Sequence, residues 1–193
     1  MSEKGKPMKT KATVGIAREL FDAEGNLDIP EPGLGLFAEM PGVEYRVFPE
    51  QHAEIAPAQV HGCHMVISAA SRWTERSLLG NDQLVAVLFT GVGYDHIDVA
   101  ALTKANVMLC FAPDAVRRPM ACTIITFILA LAMRLINKDR ITRQERWTDQ
   151  RQYRGEGLTG KTLGSIGVGN IGHEMFLLAK PFDMRHLGFD PHL

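Results

Sequence analysis

The sequence predicts an α/β protein in which a doubly wound parallel sheet is followed by the opening part of a second α/β unit. Two observations carry this prediction. Short apolar runs suited to buried strands alternate with helical segments through the first 114 residues, as in parallel sheets covered on both faces. The segment 163–190 then repeats the alternation once more, as strand, glycine-rich turn, helix and strand.

Five strands are predicted in the first part, each of them apolar and bounded by turn residues. Their ranges are 13–17, 44–48, 64–68, 84–89 and 107–111. The fourth run, LVAVLF, is almost wholly apolar, as expected of a parallel strand buried on both faces. Gly, Pro, Asp and Glu cluster over 21–35, which predicts a loop. A short helix is predicted over 74–79 with Thr74 as its N-cap, and another runs through Ala101 and Lys104.

A long apolar segment, PMACTIITFILALAMRLINKDRITRQERW, predicts a single helix beginning at Pro119, because proline suits the first turn of a helix. Its uncharged run, 120–133, is shorter than the roughly 20 residues that cross a bilayer. We therefore predict a buried helix between domains or subunits, and no membrane partner. Acidic residues are interspersed with the basic ones that follow, which favours a solvated helix face over a nucleic-acid site.

Composition excludes several classes of function. The 21 basic and 22 acidic residues nearly balance, so the chain has no net field for nucleic acid or an anionic membrane. The three cysteines form no C-x-x-C pair, and the adjacent Cys63 and His64 lack further metal ligands, so no metal site is predicted. Residues 1–12 are basic without the apolar core of a signal peptide. They predict a flexible tail on a cytoplasmic protein.

Three glycines with G-x-G-x-x-G spacing follow the first strand of the second unit: Gly167, Gly169 and Gly172. The first would allow a sharp turn, the second would leave room for a pyrophosphate, and the third would let helix and strand pack closely. The free N–H groups at the start of the helix, at Asn170 and Ile171, would favour the negative phosphates. The pattern alone is a weak signal, but its position between a strand and a helix makes it informative.

The second strand of this segment ends on Asp190, an acid placed to accept hydrogen bonds from the ribose hydroxyls of a dinucleotide. The same carboxylate would repel a 2′-phosphate, so the sequence favours NAD over NADP. The predicted cofactor-binding residues are Gly167, Gly169, Asn170, Ile171, Gly172 and Asp190.

Four motifs in order give the chain a family resemblance. They are GVGYDHID over 91–98, the Ala-Pro-Asp turn over 112–114, the long apolar helix ending in 140–147, and LTGKTLG over 158–164 leading into the glycine turn. The chain resembles the N-terminal part of the D-isomer-specific 2-hydroxyacid dehydrogenases, the family that includes phosphoglycerate dehydrogenases. The resemblance covers nearly everything from Thr13 onwards.

This resemblance implies a flavodoxin-like substrate-binding domain followed by the first βαβ part of a Rossmann NAD-binding domain. The expected boundaries are 13–114 and 115–193, with the long helix opening the second domain. A small 2-hydroxy or 2-keto acid would bind in the cleft between the domains, and homodimers would form through the NAD-binding domain.

The resemblance also assigns substrate-binding residues. The backbone N–H groups of Val92 and Gly93 would hold the substrate carboxylate, and the alternative is that Gly91 and Gly93 merely serve a strand-to-helix turn. Ser71 and Arg72 follow the third strand, at the sheet edge where ligands bind in open α/β folds. Arg72 would pair with an acidic substrate, or it is a solvated surface side chain.

Two departures from the family pattern concern the long helix and the end of the chain. Cys122 and Thr123 stand where many relatives have an acid and a histidine, and Arg117-Arg118-Pro119 replaces small or polar residues. These changes affect the substrate class more than the fold.

The family's catalytic arginine, acid and histidine are expected beyond residue 193, so we assign no catalytic residue. We expect residues 1–193 on their own to be inactive and only marginally stable. Two alternatives stay open: a non-catalytic NAD-binding or regulatory protein, and an inactive product of a truncated gene. A corepressor-like protein has no supporting signature.

Overall fold

The computed structural model describes residues 11–27 and 33–193, and the chain divides into two compact units. Unit 1 ends at Ala112 and unit 2 begins at Pro113. Most of the predicted N-terminal tail lies outside the described residues, and Ala12, which we assigned to the tail, is the first residue of a strand. Five residues of the predicted loop, 28–32, also lie outside them.

Unit 1 is built on a five-stranded parallel sheet. Its elements are β1 (Ala12–Ile16), α1 (Leu34–Glu39), β2 (Val43–Val47), α2 (Pro57–Val60), β3 (Met65–Ser68), β4 (Ala86–Phe89), α3 (Val99–Lys104) and β5 (Met108–Cys110). The strand order β2-β1-β3-β4-β5 is that of a flavodoxin-like sheet, which confirms the predicted fold class. Neighbouring strands are parallel throughout, so their carboxyl ends lie at one edge of the sheet.

The predicted strands of unit 1 are all present, with ends that differ by one or two residues. The segment predicted as a helix over 74–79 is a 3₁₀ turn over Glu75–Leu78, capped as predicted by Thr74, whose hydroxyl accepts a hydrogen bond from the N–H of Arg76 at 3.2 Å. Helix α1 begins inside the segment that we predicted as a loop. Its N-cap is Gly33, whose φ of 73° suits glycine.

The core of unit 1 lies between the sheet and its covering segments. Its largest fully buried side chains are those of Trp73, Phe48, Ile16, Ile55 and Leu102. Cys63 is fully buried among them as an apolar side chain. A Cβ at Gly15 would lie 2.7 Å from the ring of Phe48 and 2.9 Å from the sulfur of Cys63, so this glycine allows close packing beneath β1.

Unit 2 contains a two-stranded parallel sheet and three α-helices. Its elements are α4 (Pro113–Ala132), α5 (Leu135–Arg143), β6 (Thr162–Ile166), α6 (Asn170–Ala179) and β7 (Arg185–Phe189), with 3₁₀ turns over Trp147–Tyr153 and Lys180–Phe182. All five residues of β6 pair in register with β7, and α6 connects the two strands. This βαβ arrangement is the predicted start of a Rossmann domain.

The predicted single long helix is wrong in both its start and its continuity. Helix α4 begins at Pro113, so Pro119 lies inside the helix and removes one backbone hydrogen bond there. The helix ends at Ala132, and Arg134 takes a left-handed φ of 52° before α5 begins. Within the described residues, Ala121 is the one buried side chain of α4.

Helix α4 is longer than the uncharged run 120–133 from which we predicted that it does not span a membrane. At 20 residues, α4 is long and apolar enough to cross a bilayer, although core helices of soluble proteins pass the same test. The helix carries Asp114, Arg117 and Arg118 in its first turns and packs along α6, with Arg118 forming an ion pair to Glu174. These contacts join α4 to α6 within unit 2.

The apolar residues Leu163 and Ile166 predict a buried strand, but β6 is largely exposed in unit 2. Ile166 is 93% exposed, and Leu187 and Phe189 on β7 are 67% and 66% exposed. Phe176 of α6 lies over His186 and Gly188 on one face of the two-stranded sheet, while the described residues provide no element that covers the other face.

Candidate cofactor and substrate sites

The glycine turn between β6 and α6 has the geometry of an anion site. Gly167 has a φ of 91°, which confirms the need for glycine at the first position. The first intrahelical bond of α6 is donated by the N–H of His173 to the carbonyl of Gly169, at 2.9 Å. The preceding N–H groups of Asn170, Ile171 and Gly172 therefore have no acceptor within the helix and are available to a phosphate.

The fold requires glycine at position 172 for steric reasons, but not at position 169. A Cβ at Gly172 would lie 2.5 Å from the carbonyl oxygen of Gly167, a backbone atom that cannot move aside without shifting the turn. A Cβ at Gly169 would meet nothing within 4 Å, and its φ of −66° suits any residue. Gly172 is therefore required by the packing of helix on turn, whereas nothing in the fold itself requires Gly169. A ligand that approaches the backbone would supply the reason.

Asp190 lies directly against the glycine turn. Its Oδ2 accepts a hydrogen bond from the N–H of Val168 at 2.8 Å, and its Oδ1 accepts one from the N–H of His192 at 3.0 Å. These two backbone donors hold the pKa of Asp190 below its usual value, because they stabilise the charged form. Each carboxylate oxygen retains a lone pair, so the side chain is fixed, ionised and still able to accept from ribose hydroxyls.

Two features of the cofactor site were not predicted. Gly188 in β7 lets Val168 approach, since a Cβ there would lie 2.7 Å from a methyl carbon of Val168. Glu174 in the first turns of α6 accepts from Arg118 of α4 at 2.6 Å, and this bond lowers the pKa of the Glu174 carboxyl. The unusual Arg117-Arg118 sequence thus has an intramolecular role. Spacing along the chain gave no signal for it, because Arg118 and Glu174 are 56 residues apart.

The loop after β4 contains the predicted carboxylate-binding amides. The N–H groups of Val92 and Gly93 donate to no acceptor among the described residues. A Cβ at Gly93 would meet only a carboxylate oxygen of Asp95 at 3.9 Å, whereas one at Gly91 would lie 2.6 Å from the ring of Phe89. Gly91 thus serves local packing, and Gly93 has no comparable structural need.

The two other predicted substrate residues lie in the loop after β3, where one side chain is buried and the other is exposed. Arg72 is exposed, and within residues 11–27 and 33–193 its side chain forms no ion pair. Ser71 is only 4% exposed, and its hydroxyl lies 2.5 Å from Oε2 of Glu19 and 2.9 Å from the carbonyl of His52. The structure therefore places Arg72 at the surface, whereas the hydroxyl of Ser71 is hydrogen-bonded inside unit 1.

Trp73 joins the two loops of this sheet edge. Its N–H donates to the carbonyl of His96 at 3.0 Å, and its carbonyl accepts from the N–H of Asp98 at 2.8 Å. Its indole N–H donates to the hydroxyl of Ser68 at 3.1 Å. Because the ring is also fully buried, Trp73 anchors the loop after β3 to the loop after β4.

Glu19 gives unit 1 a pH-dependent contribution to stability. Partial burial raises the pKa of its carboxyl, but hydrogen bonds from Ser71, Ala69 and Ala70 outweigh burial, so the pKa lies below the usual 4.5. The stabilisation is therefore present above about pH 4.5 and is lost as pH falls through the folded pKa. We expect Glu19→Gln to lower the free energy of unfolding at pH 7 by more than at pH 3, measured by urea denaturation. An equal effect at both pH values would contradict this.

Comparison with known proteins agrees with both units. The sequence model described as D-isomer specific 2-hydroxyacid dehydrogenase, catalytic domain, matches residues 21–127, and the NAD binding domain of the same family matches residues 125–193. The second match confirms NAD as the cofactor that the glycine pattern predicted.

Two curated relatives illustrate the match. The D-3-phosphoglycerate dehydrogenase of Methanocaldococcus jannaschii is 32% identical over 129 residues, which is 67% of this chain and 24% of that protein. The glyoxylate reductase of Thermococcus gammatolerans is 31% identical over 169 residues, which is 82% of this chain and 50% of that protein. The chain thus spans between a quarter and a half of the length of these relatives.

Solved structures support the fold. The NAD-dependent formate dehydrogenase of Staphylococcus aureus, solved with NAD, matches with a TM-score of 0.74 at 21% identity, over 93% of this chain and 56% of that one. The NAD-bound 3-phosphoglycerate dehydrogenase of Entamoeba histolytica matches with a TM-score of 0.71 at 18% identity, over 95% and 55% of the two chains. With the catalytic-domain model covering more than half of its residues, the chain belongs to the D-isomer specific 2-hydroxyacid dehydrogenase family.

Proposed function

We propose that this chain binds NAD through unit 2 and contributes the carboxylate-binding edge of unit 1 to a hydride transfer between NAD and a 2-hydroxy or 2-keto acid. The observation that carries the proposal is the glycine turn, in which Gly169 is free of any structural requirement and Asp190 is held ionised beside it. Such a turn with its acid suits the pyrophosphate and ribose of a dinucleotide.

The residues present fit this cofactor. The amides of Asn170, Ile171 and Gly172 would bind the pyrophosphate, and Asp190 would accept from the adenosine ribose. Bound NAD supplies the hydride acceptor of the reaction. Placing negative charge beside the ribose makes a 2′-phosphate unfavourable, so NADP would bind more weakly.

The substrate acid would be held by its carboxylate at the edge of unit 1. The N–H groups of Val92 and Gly93, which have no acceptor within 11–27 and 33–193, would donate to one carboxylate, and the exposed guanidinium of Arg72 would supply positive charge. These groups bind and orient the acid, and none of them moves a proton in this proposal. A 2-keto acid such as glyoxylate is a suitable probe, since its carboxylate adjoins the reacting carbonyl.

Two experiments on the protein test this function. NADH fluorescence titration is expected to give saturable binding, and saturation-transfer NMR with glyoxylate is expected to show contact with the protein. Absence of NADH binding by the folded protein would contradict the proposal. Binding of NADH and glyoxylate without NADH oxidation would favour the non-catalytic alternative for this chain.

Asp190 is expected to set the preference for NAD. The Asp190→Asn variant keeps an oxygen that can accept from Val168 but loses the charge. We expect NADH to bind about threefold to tenfold more weakly while NADPH binds no more weakly than before, so that the preference for NADH over NADPH decreases. Titration with both cofactors measures this, with the exposed Asp183→Asn as control. An unchanged ratio of the two dissociation constants would show that Asp190 does not discriminate.

We also propose that the protein forms a homodimer through unit 2 and is cytoplasmic. Support for the dimer comes from large apolar side chains on α4 and α5 that are exposed in unit 2: Phe127 at 63%, Leu131 at 79% and Ile136 at 76%. Light scattering coupled to size-exclusion chromatography tests this, because Leu131→Glu should then convert a dimer into a monomer.

A further inference from the structure

Glu19 places its carboxylate in the turn that follows β3. It lies in a short 3₁₀ turn directly after β1, and β1 and β3 are neighbours in the sheet, so both segments end at the same edge. Its Oε1 accepts from the N–H groups of Ala69 and Ala70 at 2.6 and 2.9 Å, and from the hydroxyl of Ser68 at 3.2 Å. Its Oε2 accepts from the hydroxyl of Ser71 at 2.5 Å.

Four donors on one carboxylate make this contact more than a surface hydrogen bond. Two are consecutive backbone N–H groups, an arrangement that forms an anion-binding concavity. Hydrogen bonds to a charged acceptor are stronger than those between neutral groups. The Ser68–Ser71 turn is therefore built to receive a carboxylate, and Glu19 is the carboxylate that occupies it.

The contact between Glu19 and the turn also bears on the position of Arg72, the residue that follows the turn. Ser71 is fixed by Glu19, and the next residue, Arg72, donates its backbone N–H to the carbonyl of Ala53 at 2.9 Å and accepts from the N–H of Ile55 at 3.0 Å. Beyond it, the backbone of Trp73 is bonded to the loop that contains Val92 and Gly93. Glu19 thus holds Ala69, Ala70 and Ser71, which lie between the end of β3 and the backbone bonds of Arg72.

We propose that Glu19 is a positioning residue of the 2-keto acid site, whose carboxylate fixes the Ser68–Ser71 turn and thereby the place at which Arg72 presents its guanidinium. The proposal rests on the function proposed above, which assigns Arg72 to the substrate carboxylate. In this proposal Glu19 acts through the turn that its two oxygens bind, and it makes no contact with substrate.

Hydrogen exchange at the Arg72 amide tests the positioning directly. In Glu19→Ala we expect this amide to exchange at least tenfold faster than in the wild type, while amides of the central strands stay protected. Sodium formate at 50 mM should restore much of the protection by occupying the emptied turn, whereas sodium chloride at the same concentration should not. Glu44→Ala is the matched control, since Glu44 is an exposed acid of the same unit paired with Lys11.

Several outcomes would overturn the proposal. Exchange at Arg72 within twofold of the wild type in a folded Glu19→Ala protein would remove the link between Glu19 and Arg72. Failure of formate to restore protection would show that the turn is not a carboxylate site. If Glu19→Ala does not fold, Glu19→Gln replaces it, and a threefold or greater rise in exchange at Arg72 is then required.

The same variants separate this inference from the proposed function. Hydrogen exchange needs neither NADH nor a keto acid, so a positive result stands whether or not substrate binds. Glyoxylate binding is then compared by saturation-transfer NMR between the wild type, Glu19→Gln and Arg72→Ala. We expect glyoxylate binding to be lost in Arg72→Ala and partly lost in Glu19→Gln, while the affinity for NADH stays unchanged in both. No effect of Arg72→Ala would reject Arg72 as a substrate residue while leaving the positioning result intact.

Discussion

Replacing Gly172 by alanine is expected to lower the affinity for NADH at least tenfold, which corresponds to about 1.4 kcal/mol of binding free energy. The added methyl would lie 2.5 Å from the carbonyl oxygen and 3.2 Å from the carbonyl carbon of Gly167. Both are backbone atoms of the turn, so the start of α6 must move away from the turn. The same overpacking should destabilise unit 2 by about 1–3 kcal/mol. NADH titration and thermal unfolding measure the two effects.

Two other glycines of the same segment serve as comparisons. Gly164→Ala in β6 adds a methyl with nothing within 4 Å and should change neither property markedly. Gly169→Ala also meets nothing in the protein, so its melting temperature should stay near that of the wild type while NADH affinity falls. A Gly169→Ala protein that binds NADH normally would contradict the placement of the pyrophosphate. Normal binding by Gly172→Ala would contradict the packing argument.

Replacing Trp73 by alanine is expected to destabilise unit 1 by about 3–5 kcal/mol, the cost typical of removing a large buried aromatic side chain. The ring is 1% exposed at the centre of the core, and its indole N–H is bonded to Ser68. Trp73→Phe keeps most of the volume and loses that bond, so about 1 kcal/mol is expected. Urea denaturation followed by circular dichroism measures both variants.

The other tryptophan provides the control. Trp147 in unit 2 is 58% exposed, so Trp147→Ala should cost well under 1 kcal/mol. Because Trp73 joins the loops after β3 and β4, Trp73→Ala should also raise hydrogen exchange at Ile97 and Asp98, whose N–H groups are bonded within this region. A destabilisation below 1 kcal/mol would show that the core of unit 1 can collapse around the missing ring.

The sequence predicted the elements and the cofactor turn because both are encoded locally. Buried parallel strands appear as continuous apolar runs, and the strands of unit 1 and β7 were located to within a residue or two. The glycines and the acid of the nucleotide turn lie within 28 residues, so their spacing alone placed them together. The left-handed φ of Gly167 and the close approach at Gly172 followed from that spacing.

Helix limits were less well predicted. Pro119 looked like a helix start because proline is favoured there, yet α4 begins six residues earlier and tolerates it inside. Packing along α6 and the Arg118–Glu174 ion pair act on this helix from outside its own sequence. Tertiary contacts therefore outweighed a local preference of the chain.

What the sequence determined by itself is the fold class, the family and the position of the NAD turn, since each follows from patterns read along a short stretch of chain. The tertiary structure alone decided which polar groups meet. Glu19 and Ser71 are 52 residues apart, and Arg118 and Glu174 are 56 apart, so no local periodicity pairs them. For Glu19 and Ser71, the physical reason is that a parallel sheet brings the ends of distant strands to one edge, and the side chains that meet there depend on strand order and register. For Arg118 and Glu174, the reason is that α4 packs along α6.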